Sequence, residues 1–103
     1  MSHFLTKFAG DQVAWDVEFV DEIPFGSSLV SGTASAIDWA TQADATSTIL
    51  DSPDIVVDGT VGRMRLKGGD YGALYIISMH MVLDTSGQVP DTLDQDVVLR
   101  IRW

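Results

Sequence analysis

Cysteine is absent from this sequence of 103 residues. Without a thiol, the chain has no disulfide framework, no thiolate nucleophile and no zinc site of the cysteine type. No apolar run approaches the ~20 residues that span a bilayer. The N-terminal residues also lack the apolar stretch of a signal peptide. A soluble protein made in a cytoplasm is therefore the expectation.

Basic residues are also few. Six Lys and Arg stand against fifteen Asp and Glu, and the formal net charge is −9. Such a charge disfavours nonspecific attraction to phosphate backbones and to anionic membranes. We therefore expect no nucleic-acid partner and no membrane partner.

Glutamate is scarce within the acidic set, which comprises thirteen Asp and only two Glu. Glu favours helices, whereas Asp favours turns and helix caps. Together with nine Gly and many Val, Ile, Thr and Ser residues, this composition indicates strands separated by tight turns. The chain length fits one domain with one core.

Apolar and polar side chains alternate along much of the chain, a period of two that predicts β-strands. With Gly, Pro and Asp turns as boundaries, the pattern predicts seven strands, near residues 13–19, 31–39, 46–50, 55–57, 61–67, 73–83 and 93–103. The strand at 73–83 is apolar on much of both faces, so it is expected at the centre of a sheet and covered on much of both sides. In the strand at 31–39, Ile37 and Trp39 are expected to point inward, opposite Ala34 and Ala36.

Seven short strands at spacings near ten residues favour an all-β fold, an antiparallel immunoglobulin-like β-sandwich. A small closed barrel is the geometric alternative. Residues 9–103 are expected to form the single sandwich domain, and residues 1–8 an N-terminal arm ahead of it.

Catalysis is not expected, because most Asp residues fall in predicted turns or on the polar side of strands, where solvation explains them. His80 is expected on the more polar face of a central strand, without a catalytic role. No cofactor is predicted. Calcium stays an alternative if the fold brings loop carboxylates together, and carbohydrate binding stays one if Trp39 lies exposed beside convergent Asp residues.

The candidate functional residues are instead those of a protein interface. Two Arg pairs, Arg63 with Arg65 and Arg100 with Arg102, each lie on one face of a strand and are candidates to face a partner. Alternatively, if the first and last strands are neighbours, Arg100 and Arg102 pair with Asp16 and Glu18. Apolar residues near the two ends of the chain and in one turn are either packed on the core or docked on a neighbour. The predicted interface comprises Phe4, Leu5, Phe8, Phe25, Arg63, Arg65, Arg100, Arg102 and Trp103.

Several segments also match a known pattern. They are Lys7-x-x-Gly10-Asp11-x-Val13, the strand 15–19, the segment 26–32, Met64-Arg65-Leu66-Lys67-Gly68-Gly69, Gly72-Ala73-Leu74-Tyr75-Ile76-Ile77, the turn 85–87 and the closing strand 98–103. In these segments the chain resembles the small phage proteins known as fiber-tail adaptors. The similarity covers nearly the whole chain, but it consists of sandwich residues and turns.

The resemblance implies an immunoglobulin-like virion protein that attaches tail fibers to the tail or neck of a bacteriophage. Its partners would be other virion proteins, with several copies in each particle, and the protein would be made in the bacterial host cytoplasm. A capsid decoration protein is the alternative role within the virion.

Overall fold

A computed structural model of the protein describes residues 3–19, 28–84 and 92–102. Seven strands and one short helix follow one another as β1 (His3–Phe8), β2 (Val13–Glu18), β3 (Ser28–Asp38), α1 (Thr46–Ile49), β4 (Asp54–Asp58), β5 (Val61–Leu66), β6 (Leu74–Asp84) and β7 (Thr92–Arg102). The all-β, sandwich-like fold class with seven strands is confirmed.

The strands are hydrogen-bonded in the order β1-β7-β6-β3-β4-β5-β2. β4 joins two layers: its first residues, Asp54 and Ile55, pair with β3, and the residues from Val56 to Asp58 pair with β5. The first layer is β1, β7, β6 and β3, and the second is β4, β5 and β2. All neighbouring pairs are antiparallel except β1 and β7, which run parallel, so the sheet is mixed.

The core lies between the two layers. Inward side chains of β6 and β7 provide one side of it, including Tyr75, Ile77 and Leu99, and β2 and β5 provide the other. The layers approach closely at Gly62, where an added Cβ would lie 3.2 Å from Cε of Met81. β6 lies between β3 and β7, which confirms its predicted central position.

Residues 3–8 form a sheet strand, and this corrects the prediction of an N-terminal arm that precedes the sheet. β1 pairs with β7 over six residues, from His3 opposite Val97 to Phe8 opposite Arg102. Leu5 lies in the core with 2% of its surface exposed. The segment is therefore part of the first layer.

The strand predicted at 46–50 is wrong, because residues 46–49 form the helical turn α1. The Thr46 hydroxyl accepts a hydrogen bond from the backbone N–H of Ala36 at 3.0 Å. The N–H of Ile49 bonds to the carbonyl of Ala45, and this turn buries Ile49 completely. The two faces predicted for β3 are also reversed: Ala34 and Ala36 are buried, whereas Trp39 is 57% exposed.

Candidate functional site

An apolar surface lies on the outward side of the first layer. The outward side chains of β3, β6 and β7, here called the outer face, align across the strands, so that Ile37, Ile76 and Val98 form one row. Leu74 lies in the next row, where its carbonyl accepts the backbone N–H of Trp39 at 2.9 Å. The three side chains of Leu74, Ile76 and Val98 are only partly buried.

Trp39 reaches this surface because β3 ends immediately before it. The carboxylate of Asp38 accepts the backbone N–H of Ala40 at 2.9 Å and fixes the turn that follows the strand. The indole of Trp39 then borders Leu74, Ile76 and Val98, and these four residues are here called the apolar cluster. An exposed aromatic beside aliphatic side chains is a typical surface for burial against another protein.

Polar side chains occupy the other half of the outer face. The Nδ1 atom of His80 lies 2.6 Å from a carboxylate oxygen of Asp94, and the hydroxyl of Ser78 donates to Asp96 at 3.1 Å. All four side chains are exposed. His80 therefore lies on the polar, outward side of β6, where the alternation predicted it.

Arg100 and Arg102 lie on β7 at the opposite end of the outer face from Asp94 and Asp96. Both are exposed, and Arg102 pairs in register with the exposed Phe8 of β1. Within residues 3–19, 28–84 and 92–102, no carboxylate lies within ion-pairing distance of either guanidinium. Three of the predicted interface residues, Phe8, Arg100 and Arg102, therefore share one surface.

The predicted pairing of Asp16 and Glu18 with Arg100 and Arg102 is wrong, because β2 lies beside β5 in the second layer. Asp16 pairs with Arg63 instead. The Arg63 Nε donates to one Asp16 oxygen at 2.6 Å and its Nη2 to the other at 3.1 Å. Hydrogen bonding to Arg63 holds the pKa of the Asp16 carboxyl below its ordinary value, and the same bond raises the pKa of Arg63.

The remaining predicted interface residues are dispersed. Arg65 is exposed on the second layer, on the same strand face as Arg63. The burial of Leu5 removes it from any surface. Phe25, Trp103 and the side chain of Phe4 lie outside the described residues.

Lys7 is a buried polar residue that the alternation did not identify. Only 3% of its surface is exposed, and its ammonium donates to the carbonyls of Gly68 at 2.6 Å and Phe8 at 2.9 Å. Burial lowers the pKa of the Lys7 ammonium, while the nearby charge of Asp11 acts in the opposite direction. The two carbonyl bonds give Lys7 a structural role at the end of the sandwich.

In the described part of the chain, no group of three or more His, Asp or Glu side chains is placed to hold a metal ion. The same residues form no helix with the length and apolar character that crossing a lipid bilayer requires.

The sequence patterns missed the apolar cluster as a site. The alternation assigned Trp39 to the core, and it treated the second apolar face of β6 as a sign of coverage on both sides. The signal was present in that second face, because Leu74 and Ile76 are apolar where a half-exposed strand needs polar residues. Such a face is either covered within the fold or available to a partner.

No protein-family model matches the chain, and no curated protein matches its sequence.

Proposed function

We propose that this protein is a non-enzymatic structural component of a bacteriophage particle, an adaptor that attaches tail fibers to the tail or neck. It would bind other virion proteins through the outer face of its first layer. The observation that carries the proposal is the apolar cluster, with Trp39 57% exposed at the end of a regular sheet. The assignment to a phage rests on the resemblance of the sequence to fiber-tail adaptors.

The composition of this surface favours a protein partner. Interface centres are enriched in aromatic and other apolar side chains and in Arg, and they are depleted of Lys and Glu. The apolar cluster has Arg100 beside Leu74 in the register of β6 and β7. Because Leu74, Ile76 and Val98 lie on paired strands, a partner would bind them with little loss of backbone freedom.

A sugar-binding role has less support from the same residues. Sugar sites need polar groups beside the aromatic ring to bond the hydroxyl groups of the ligand. The side chains that line the outer face beside Trp39 are Leu74, Ile76 and Val98, and none of these three offers such a group. We therefore favour a protein ligand for this surface.

The test is quantitative mass spectrometry of purified particles of the phage that encodes this chain. A low copy number that matches tail symmetry is expected for an adaptor, whereas a number that matches the capsid shell would indicate decoration instead. Absence from particles would overturn the virion assignment.

A pair of variants tests the surface in the same particles. Trp39→Ser in the apolar cluster is expected to reduce incorporation strongly. Val56→Ser is the matched control, because Val56 is 64% exposed on β4 in the second layer. Equal incorporation of both variants would show that the apolar cluster does not bind a virion partner.

A further inference from the structure

The outward side chains of β7 form a symmetric charge pattern. After Thr92 they are, in chain order, Asp94, Asp96, Val98, Arg100 and Arg102, and these five are here called the β7 ladder; they alternate with inward residues along one strand. Val98 lies at the centre, two acidic residues lie on one side of it, and two basic residues lie on the other. If the strand is reversed about Val98, each acidic position is therefore replaced by a basic one.

We propose that the outer face binds a second copy of this chain through a two-fold axis that crosses the strands at Val98. Such an axis places β7 of one copy over β7 of the other in the opposite direction. Arg100 then faces Asp96 of the second copy, and Arg102 faces Asp94 of the second copy. Each contact occurs twice, as in every two-fold interface.

The row on the axis is apolar, as the centre of an interface requires. Ile37, Ile76 and Val98 share this row, and each would meet its own counterpart in the second copy. The charge pairs lie along β7 on either side of this row, while on β6 the same axis places Leu74 over Ser78 of the second copy. Apolar contact between the copies is therefore centred on the axis row, with polar and charged contacts beyond it.

The outer face is large enough for a small specific interface. Its three strands, at about 4.8 Å spacing, span about 14 Å, and the eleven residues of β7 extend about 37 Å. The resulting footprint of about 500 Å² on each copy, or about 1,000 Å² in total, reaches the lower limit for a specific interface. Packed sheets lie about 10 Å apart, a gap that an Arg side chain and an Asp side chain can bridge together.

The angle between the two sheets decides which charge pair is stronger. Aligned sheets cross at about 30°, so positions far from the axis are displaced sideways. The displacement is about 3 Å for the Arg100 and Asp96 pair, two residues from Val98, and about 7 Å for the Arg102 and Asp94 pair. Arg100 is therefore expected to contribute more than Arg102.

Charge also selects this orientation against the alternative. An axis parallel to β7 would place Arg100 over its own counterpart and Asp96 over its own, which is repulsive. The net charge of −9 on each copy opposes any association at long range. Salt near 0.15 M screens charges beyond about 8 Å but screens close pairs less, so this is the condition in which to measure self-association.

The decisive experiment uses two variants with opposite charge changes. Arg100→Asp/Arg102→Asp makes the β7 ladder wholly acidic, and Asp94→Arg/Asp96→Arg makes it wholly basic. By sedimentation velocity at 0.15 M salt, each variant alone is expected to self-associate at least tenfold more weakly than the unaltered protein. Their equimolar mixture is expected to form heterodimers, because an acidic ladder then faces a basic one.

Two controls keep the experiment decisive. Arg63→Asp/Arg65→Asp makes the same charge change at the same spacing on the second layer, and it is expected to leave self-association unchanged. If a double variant fails to fold, Val98→Arg, which places two Arg side chains together on the axis, is compared with Val56→Arg. A monomeric unaltered protein, or a mixture that does not associate, would overturn the proposed dimer.

This inference rests on the proposed function, because it assigns the partner of the same outer face, but the two fail differently. A protein that is monomeric in solution yet present in purified particles refutes only the dimer. A protein that forms the rescued heterodimer yet is missing from particles refutes only the virion role.

Discussion

The phenolic oxygen of Tyr75 accepts a hydrogen bond from the backbone N–H of Asp70 at 3.1 Å. Tyr75 lies near the start of the central strand β6, with 2% of its surface exposed, and Asp70 lies in the connection that precedes this strand. The bond anchors that connection to the core. Sandwiches of the immunoglobulin type use a similar tyrosine near the start of a central strand.

Substitution of Tyr75 is therefore expected to destabilise the protein in two steps. Tyr75→Phe removes only the bond to Asp70 and should lower the free energy of unfolding by about 1 kcal/mol. Tyr75→Ala also removes a buried ring and should lower it by about 3–5 kcal/mol. Urea unfolding measures both values, with the exposed Val56→Ala as the control. A near-native value for Tyr75→Ala would contradict the central role of this ring.

Gly69→Ala is expected to destabilise the protein more than Gly59→Ala. Both glycines have positive φ, +96° and +62°, so each alanine carries a conformational cost of about 1 kcal/mol. At Gly69 the added Cβ would also lie 2.7 Å from Cδ1 of Ile101, whereas nothing lies within 4 Å at Gly59. Overpacking of this kind adds about 1–3 kcal/mol.

Thermal unfolding of a double-mutant cycle tests the cause. Ile101→Ala removes both close atoms, Cδ1 at 2.7 Å and Cγ1 at 2.8 Å, so the additional cost of Gly69→Ala should be smaller in that background. An unchanged cost would show that contact with Ile101 is not responsible.

The Asp16 and Arg63 pair makes a small part of the stability dependent on pH. The ordinary pKa of the Asp16 carboxyl is 3.8, and Arg63 lowers it in the folded protein. The stabilisation is therefore fully present above about pH 5, where the carboxyl is ionised in both states, and is lost as pH falls through the lowered folded pKa.

NMR titration of the Asp16 carboxyl should show a pKa below 3.8, and Arg63→Gln should return the pKa toward that value. Arg65→Gln is the matched control on the same strand face and should leave the Asp16 pKa in place. The difference in melting temperature between the unaltered protein and Arg63→Gln should decrease between pH 7 and pH 2. A constant difference would exclude the ion pair as its source.

The fold class and most strands could be predicted from the sequence. In a half-buried strand one face is buried and the other exposed, so apolar and polar residues alternate along the chain. The prediction failed at β1, because one of the side chains that points inward from this strand is Lys7. A lysine normally indicates an exposed position, but here two carbonyls bind its ammonium inside the sandwich. Leu5 is the other inward residue of β1, and one apolar residue is not enough to show the alternation that predicts a strand.

The candidate site could be predicted only in part. Arg100 and Arg102 were identified because a strand places residues two apart on one face. Their distance from Asp16 could not be foreseen, because the neighbour of β2 depends on the order of strands remote in sequence. Trp39 was misassigned because periodicity separates two faces without indicating which is buried, and the turn at Asp38 ends the strand before it.

The parallel pairing of β1 with β7 determines how the domain would respond to mechanical load. Because the two strands run in the same direction, His3 and Arg102 lie at opposite ends of the pair. Tension applied through these two ends would therefore load the evenly spaced hydrogen bonds between the strands together, in shear, rather than breaking them one after another. A pairing of this kind resists extension more strongly than an antiparallel pair opened from one end, where the same force separates the strands bond by bond.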